Sequence, residues 1–412
     1  MKSLSLLFSL VVFAVGAPAR ADSVLQPNDV VAINGDSITA QTEYSAFIEE
    51  YLLACQSVPN VRSINFGVGG TTAPYFDEGI EPVVLPFKPT VATICYGMND
   101  AHSQINEKDR EDTFRKSLVS ALKKLKAAGV RTILLGGPGC VDPALFHWEG
   151  FTPDGYNATL KAFSDVAADV AKQDGDVYVD VHDAMMTAMA KSKAATGIFM
   201  IAGDGVHPSA NVHLVMAYAF LKAFGCDGAI GTITVDLGTN QAEGTPGQKI
   251  VSVKDGSVAI ESTRYPFCFV GNPNVTKMLP FLPFNDELNR YMLIVNGLKT
   301  AQAKVTWGTD SKVFSAADLE KGINLADEFL NNPFCDRFND LQTLVAAKQS
   351  TELSFASNVL HNLGHYKTAL PAQSDNLDQI AAGCVDLQKK FSDVVANAVL
   401  PVDHAIVITP VP

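Results

Sequence analysis

The chain has 412 residues, of which 47% are hydrophobic and 18% are charged, and its formal net charge is −13 at pH 7. This composition excludes an intrinsically disordered chain, and the length allows a sizeable core and more than one domain. The negative charge argues against a nucleic-acid partner, because affinity for nucleic acid depends on clustered Lys and Arg that neutralise phosphates.

The first 21 residues have the pattern of a secretory signal peptide (1–21). Lys2 precedes an apolar run from Leu4 to Val15, and Ala19-Arg20-Ala21 supplies small residues before a cleavage site. That run is too short to span a bilayer, and no later stretch approaches the necessary length. We therefore expect cleavage before Asp22, no integral membrane span, and a secreted, periplasmic or extracellular location. Cleavage removes two basic residues and no acidic one, which takes the net charge from −13 to −15.

Seven cysteines are too few to build a disulfide-based fold of this length, although an oxidising compartment would permit a few bridges. Because the number is odd, at least one thiol lacks a partner within the chain. Cys95 lies inside an apolar run and is predicted to be a buried free thiol. The absence of any CxxC motif excludes zinc ribbons and thioredoxin-type chemistry.

Residues 29–225 alternate short, β-branched runs with longer periodic ones, which is typical of a parallel sheet with crossover helices. The predicted strands are Asp29–Ile33, Arg62–Phe66, Val91–Tyr96, Val130–Leu135 and Val177–Val179. Helices are predicted near 41–56, 114–129, 155–173 and 208–224.

The pattern changes after Gly225. Short β-prone runs predict a β-rich accessory region, and Ser315 with Asp318 predicts a capped helix to about Leu330. Two more helices should follow, the second with an apolar stripe made of Leu377, Ile380, Ala381, Cys384, Leu387, Phe391, Val394 and Val395. The β-rich region could bind polysaccharide or cover the first domain, and the helices could pack on the core or form a dimer.

The predicted organisation after the signal peptide therefore has three parts. They are an α/β domain (22–228), a β-rich region that ends in a helix (229–330) and a helical C-terminal region (331–412).

Four short segments of the α/β domain carry residues suited to chemistry. They are Gly35-Asp36-Ser37-Ile38, Asn65 to Gly70, Gly97-Met98-Asn99-Asp100 and Asp204 to Ser209. The first three follow successive predicted strands, and the carboxyl ends of parallel strands are where open α/β sheets bind ligands. Each segment alone has a structural explanation, since Ser37 could cap a helix, Gly70 could serve a turn, and Asn99 could bond its own backbone.

Cofactor and metal interpretations are weaker. The glycine segment lacks the third glycine of a dinucleotide-binding loop, because position 72 is Thr. Asp204 and His207 have no third ligand in their loop, as a catalytic zinc would need. Asp180, His182 and Asp183 are better explained as the start of a helix. The sequence therefore predicts neither a cofactor nor a metal.

Taken together, the four segments resemble the GDSL or SGNH hydrolase superfamily, whose four blocks carry Ser, Gly, Asn and His. The matching residues are Ser37, Gly70, Asn99 and His207, with Ile38 in place of the commonest Leu. The resemblance covers residues 29 to about 225. It implies a flavodoxin-like three-layer α/β/α fold and ester hydrolysis.

The resemblance and the chemistry assign the same roles. Ser37 is the predicted nucleophile and His207 its base, because a serine hydroxyl needs a base within hydrogen-bond reach. Asp204 is predicted to orient His207. The backbone N–H groups of Ser37 and Gly70 and the side chain of Asn99 would form the oxyanion hole.

Substrate specificity depends on the loops around the site. The longest predicted loops, 71–88 and 140–155, carry the aromatic residues Tyr75, Phe76, His147, Trp148 and Phe151. Since no long apolar lid is visible, we expect a short-chain ester substrate, above all acetyl groups on a carbohydrate, and the partner would be a small-molecule or polysaccharide ester. The alternatives are a lipase or lysophospholipase, an acyltransferase, and a non-catalytic surface-binding protein.

Overall fold

The computed structural model describes residues 23–102, 107–197 and 204–412. The predicted signal peptide lies outside the described residues.

The N-terminal part of the chain forms a five-stranded parallel sheet, whose apolar strands are buried on both faces. Its strands are β1 (Val30–Gly35), β2 (Arg62–Asn65), β3 (Val91–Cys95), β4 (Thr132–Gly136) and β5 (Val177–Val179). The spatial order is β2-β1-β3-β4-β5, and every neighbouring pair is parallel. This is the flavodoxin-like order, and its topological switch point lies at β1 and β3. The predicted α/β fold is confirmed, and all five strands lie within two residues of their predicted bounds.

Helices flank this sheet. They are α1 (Ser37–Ala40), α2 (Tyr44–Ala54), α3 (Ala73–Gly79), α4 (Glu107–Ala127), α5 (Pro153–Asp174), α6 (Val181–Thr196) and α7 (Ala210–Ala223). The prediction of a long loop at 71–88 is wrong, because α3 continues into a π-helical turn (Ile80–Val84) and a 3-10 turn (Leu85–Phe87). Asp180 caps α6 by accepting the backbone N–H of Asp183, as the helix-start interpretation predicts.

The β-rich region contains two further sheets. Its strands are β6 (Ala229–Asp236), β7 (Gln241–Gly244), β8 (Gln248–Lys254), β9 (Ser257–Ser262), β10 (Arg290–Asn296), β11 (Gln302–Trp307), β12 (Asp310–Ser315), β13 (Ile323–Asn324) and β14 (Val402–Val411). One sheet has the order β13-β10-β6-β7, and the other has the order β12-β11-β14-β9-β8. The two sheets meet where Tyr291 of β10 stacks on Trp307 of β11, with ring centroids 5.5 Å apart.

Three short α-helices and one 3-10 helix interrupt these strands: α8 (Phe284–Glu287), α9 (Ala316–Lys321), α10 (Leu325–Glu328) and the 3-10 helix Val275–Phe281. The side chain of Ser315 caps α9 by accepting the N–H of Asp318, as predicted. The predicted extension of this helix to Leu330 is wrong. Helix α9 ends at Gly322, whose φ of 101° leaves the helical region, and β13 follows at once.

A helical hairpin, residues 335–397, separates β13 from β14. It consists of α11 (Cys335–Ser354), a π-helical segment (Phe355–Leu360), α12 (His361–Ala369), a 3-10 turn (Pro371–Gln373) and α13 (Ser374–Asn397). The sequence predicts a helical C-terminal region, but its last strand, β14, returns to the β-rich region and lies between β9 and β11.

The packing face of α13 differs from the predicted apolar stripe. Ile380, Leu387 and Val394 are 48%, 41% and 54% exposed. The buried residues of α13 are Cys384, Gln388, Ser392 and Val395, so that two polar residues face inward. The prediction is wrong for the three exposed residues, because the helix turns its polar face toward a buried hydrogen-bond network on α11.

The helical hairpin covers the β2 edge of the parallel sheet. The ammonium group of Lys348 donates to the carbonyl of Ser63, at 2.8 Å, and Glu352 accepts the backbone N–H of Asn65, at 3.0 Å. An edge strand leaves such groups without strand partners, and here α11 satisfies them.

The core of the β-rich region contains a buried histidine. The indole N–H of Trp307 donates to Nδ1 of His404 at 3.2 Å, and Nε2 of His404 lies 2.9 Å from the hydroxyl of Ser262. Burial lowers the pKa of His404 to about 4. In the unfolded chain the imidazole has a pKa of ~6.5. The unfolded chain therefore binds the proton more readily than the folded chain.

We expect this histidine to make the fold acid-sensitive. Its stabilising effect is complete above pH ~6.5 and is lost as the pH falls toward 4, with a change on the order of 3 kcal/mol in the free energy of unfolding. Urea denaturation between pH 7.5 and 4 measures this. The variant His404→Gln should show a shallower pH dependence, whereas His147→Gln, at an exposed position, should match the wild type. Equal slopes in all three proteins would contradict the prediction.

All seven cysteines are free thiols, and Cys95 is buried. Cys335 is half-buried and contacts Cys268, whose hydrogen bond lowers the pKa of the Cys335 thiol to about 7. Within the described ranges, no helix has the length and apolar character needed to cross a membrane.

Candidate active site

The four predicted segments meet at the carboxyl edge of the parallel sheet, at its switch point. Ser37 is the first residue of α1, directly after β1. Gly70 and Asn99 lie in the turns after β2 and β3, and Asp204 with His207 lies in the turn before α7.

Ser37, His207 and Asp204 form one line of hydrogen bonds. Nε2 of His207 lies 2.9 Å from the hydroxyl oxygen of Ser37, and Nδ1 lies 2.6 Å from a carboxylate oxygen of Asp204. With the ring proton on Nδ1, the imidazole donates to Asp204 and accepts from Ser37. This geometry can remove the hydroxyl proton as the serine oxygen attacks.

The carboxylate of Asp204 is held by its own loop. Its second oxygen accepts the backbone N–H groups of Val206 and His207, each at 3.0 Å. Partial burial by itself raises the pKa of the Asp204 carboxyl, but the hydrogen bonds from His207 and the two backbone groups outweigh it, so the pKa lies below its ordinary value. Asp204 is therefore ionised and able to stabilise an imidazolium.

Gly205 fixes this loop against its neighbour. Its φ is +73°, and a Cβ atom here would lie 2.3 Å from the backbone nitrogen of Phe146. The carbonyl of Gly205 accepts the N–H of Asp142 at 2.8 Å, and the buried Asp142 is paired with Lys193 at 2.7 Å. Only glycine fits this contact, so the loop that carries Asp204 and His207 packs directly against residues 142–146.

The glycine turn after β2 lies beside the nucleophile. A Cβ atom at Gly67 would lie 2.5 Å from the backbone nitrogen of Ala40, so this turn packs directly on α1. Gly70 is exposed with φ +73°, and a Cβ atom there would meet no heavy atom within 4 Å. The side-chain amide of Asn99 donates one N–H to the carbonyl of Thr71 at 2.8 Å, which leaves its second N–H for another acceptor.

Two buried carboxyls next to the predicted residues have no role in the sequence-based assignment. Asp36 accepts the N–H of Ile38 at 2.9 Å, and Asp100 accepts the N–H of Ala73 at 2.9 Å. Burial raises the pKa of Asp36 to about 6 and that of Asp100 to about 7. Asp100 is therefore partly protonated at neutral pH, which limits the negative charge beside the predicted oxyanion hole. The sequence could have indicated both carboxyls, because Asp36 directly precedes Ser37 and Asp100 directly follows Asn99.

Aromatic side chains form one rim near Asn99. The ring of His102 lies 4.5 Å from that of Trp148 and 5.3 Å from that of Phe151. His102 is exposed, and the other two are half-buried. We refer to these three residues as the aromatic rim; His102 is not predicted from the sequence.

The other predicted aromatic residues have different surroundings. Tyr75 stacks on His361 of α12 at 4.4 Å, whereas His147 is exposed. Tyr75 and Phe76 both lie in α3, so their predicted place on a loop is wrong, and Phe76 is buried in the core at 4% exposure. In the part of the chain that the structure describes, no group of three or more His, Cys, Asp or Glu side chains could hold a metal ion.

Comparison with known proteins identifies the domain that carries this site. Residues 33–215 match the model of the GDSL-like lipase/acylhydrolase family. These residues form a GDSL domain. The protein is a serine ester hydrolase, and the resemblance seen in the four segments is confirmed for this domain.

The chain is also similar to known proteins and solved structures. The chain is 28% identical over 193 residues to an acetylxylan esterase from Geobacillus stearothermophilus, a match that covers 45% of this chain and 81% of that protein. A crystal structure of an acetylxylan esterase from the same organism is 25% identical, with a TM-score of 0.41, and covers 48% of this chain and 95% of that one. A gut microbial diltiazem-metabolizing enzyme is 21% identical with a TM-score of 0.74 and covers 95% of this chain and 100% of that one. The last match extends the shared fold beyond the GDSL domain to nearly the whole chain.

Proposed function

We propose that the protein is a secreted serine esterase that removes short acyl groups, above all acetyl, from a carbohydrate. The observation that carries the esterase mechanism is the hydrogen-bonded line from Ser37 through His207 to Asp204. The GDSL domain supports the reaction class, and the aromatic rim supports the carbohydrate.

The reaction follows from this geometry. His207 takes the hydroxyl proton as the oxygen of Ser37 attacks the acyl carbonyl, and Asp204 stabilises the resulting imidazolium. The carbonyl oxygen becomes an oxyanion, which the N–H groups of Ser37 and Gly70 and the free N–H of Asn99 receive. The alcohol leaves with the proton from His207. Water, activated by the same imidazole, then releases the acid from the acyl-enzyme.

The substrate proposal depends on the aromatic rim. Trp148 is half-buried and contacts His102, Phe146 and Tyr156, so its ring is held in place before any ligand arrives. A sugar ring presents C–H groups that pack well on such a rigid apolar surface. The similarity to an acetylxylan esterase is the reason for proposing acetyl as the acyl group and a carbohydrate as its carrier.

We expect wild-type protein to prefer acetate in a series of ethyl esters from acetate to octanoate, and to cleave acetylated xylo-oligosaccharides with a lower KM than ethyl acetate. Trp148→Ala should raise the KM for the oligosaccharide about tenfold and leave ethyl acetate unchanged, because only the sugar reaches the rim. His147→Ala, at the exposed neighbouring position, is the matched control and should change neither value.

Other outcomes separate the alternatives. A preference for octanoate would replace the proposal with a lipase, and transfer of acetyl to an added sugar at the expense of free acetate would replace it with an acyltransferase. An unchanged KM for the oligosaccharide in Trp148→Ala would show that the aromatic rim does not bind the substrate.

A further inference from the structure

The buried side chain of Asn65, the last residue of β2, links the helical hairpin to the active site. Asn65 is fully buried, and its side-chain oxygen Oδ1 accepts the N–H of Gly67 at 2.7 Å. Its amide nitrogen donates to the carbonyl of Thr39 at 3.1 Å. Asn65 therefore joins the glycine turn that contains Gly70 to the short helix that begins with Ser37.

The remaining side-chain contacts of Asn65 come from helices α2 and α11. Its amide nitrogen lies 2.9 Å from the hydroxyl of Ser45 and 3.0 Å from the side-chain carbonyl of Gln349 on α11. Ser45 in turn donates to the same oxygen of Gln349, at 2.7 Å. All three side chains are fully buried, so no water competes for these bonds.

Gln349 is itself fixed by the hairpin and by α2. Its amide nitrogen donates to Glu49 at 2.8 Å. Lys348 pairs with Glu49 at 2.8 Å and with Glu352 at 2.7 Å, and all four side chains are buried. Glu352 also accepts the backbone N–H of Asn65. A buried network of this kind is costly to leave partly satisfied, which holds Gln349 in one orientation.

The side-chain amide of Asn65 has two N–H groups and three acceptors within reach: the carbonyl of Thr39, the hydroxyl of Ser45 and the side-chain carbonyl of Gln349. Gln349 also accepts the hydroxyl of Ser45, so it fixes the direction of that hydroxyl as well as that of the amide. Without Gln349 the buried hydroxyl of Ser45 loses its acceptor and must turn toward another one, which disturbs the hydrogen bonds that hold Asn65 against the N–H of Gly67. Both oxyanion-hole elements that Asn65 joins would then be free to shift.

We propose that the helical hairpin is a positioning element of the active site and that Gln349 is the positioning residue through which it acts. This inference rests on the proposed esterase mechanism, because the distance it controls is that between Ser37 and the glycine turn. Catalysis is sensitive to such distances, since a displacement of about 1 Å remote from the chemistry can cost about 100-fold in rate.

The test uses Gln349→Met in the full chain, which keeps the volume and removes the hydrogen bonds. We expect kcat for ethyl acetate, per active site titrated with a fluorophosphonate, to fall 10- to 100-fold while KM changes by less than twofold. Ser45→Ala weakens the same link more gently and should lower kcat about three- to fivefold. If Gln349→Met does not fold, the variant Ser45→Ala still tests the inference.

The matched control is Gln342→Met on the same helix. Gln342 donates to the buried Glu50 at 3.3 Å, and it has no hydrogen bond to Asn65 among those of the described residues. Its loss should lower Tm but leave kcat per titrated site at the wild-type value. Equal kcat values in Gln349→Met, Ser45→Ala and wild type, whatever their Tm, would overturn the inference. Wild-type protein that neither hydrolyses esters nor labels at Ser37 would instead overturn the proposed function.

Discussion

Replacing Ser37 with Ala is expected to lower kcat for ethyl acetate by about 10⁶-fold, to a residual rate that depends on the oxyanion hole alone. The reason is the position of the hydroxyl, 2.9 Å from Nε2 of His207, where no other described side chain offers a nucleophile hydrogen-bonded to that nitrogen. Initial rates and fluorophosphonate labelling, followed by mass spectrometry of the modified peptide, measure the loss.

The control for this variant is Ser57→Ala, which removes an exposed hydroxyl after α2. It should keep both the rate and the label. Activity in Ser37→Ala above about one thousandth of the wild-type value, or a label on a different serine, would refute the assignment of the nucleophile.

Replacing Asn99 with Ala is expected to lower kcat about 10²- to 10³-fold, which corresponds to roughly 2.7–4 kcal/mol of lost transition-state stabilisation. The N–H that does not bond Thr71 meets the carbonyl oxygen only as it becomes charged, so KM should change little. Steady-state kinetics on an acetyl ester measure both constants.

Asn60→Ala serves as the control, because the amide of Asn60 donates to Asn28 at the exposed surface. A variant Asn99→Ala that changes KM as much as kcat would assign Asn99 to substrate binding in place of oxyanion stabilisation. A fall in kcat smaller than threefold in Asn99→Ala would show that Asn99 is not part of the oxyanion hole.

The parts of the fold that follow from local pattern are predictable from the sequence. The five parallel strands and their crossover helices are each specified by a run of neighbouring residues, and the four site segments occur where those strands end. Because the carboxyl ends of parallel strands share one edge, the convergence of Ser37, Gly70, Asn99 and His207 can be expected before any coordinates exist.

Features that depend on contacts between distant residues are not predictable in this way. Strand β14 looks like an ordinary apolar tail until its partners, β9 and β11, are known. The stripe on α13 fails for a related reason: hydrophobic periodicity cannot reveal that Gln388 would bond Glu352 inside the protein, at 2.9 Å. For the same reason the sequence does not reveal the contact between Gln349 and Asn65, which are separated by 284 residues.

The central position of β14 affects how the chain is made. Its register places Ala405 opposite Ala259 and Ile406 opposite Trp307, so two neighbours remain open until it arrives. While the ribosome is still adding the hairpin, β9 and β11 each present an unpaired row of N–H and C=O groups, and such rows are templates for aggregation. Completion of this sheet therefore waits until β14 itself has been synthesised.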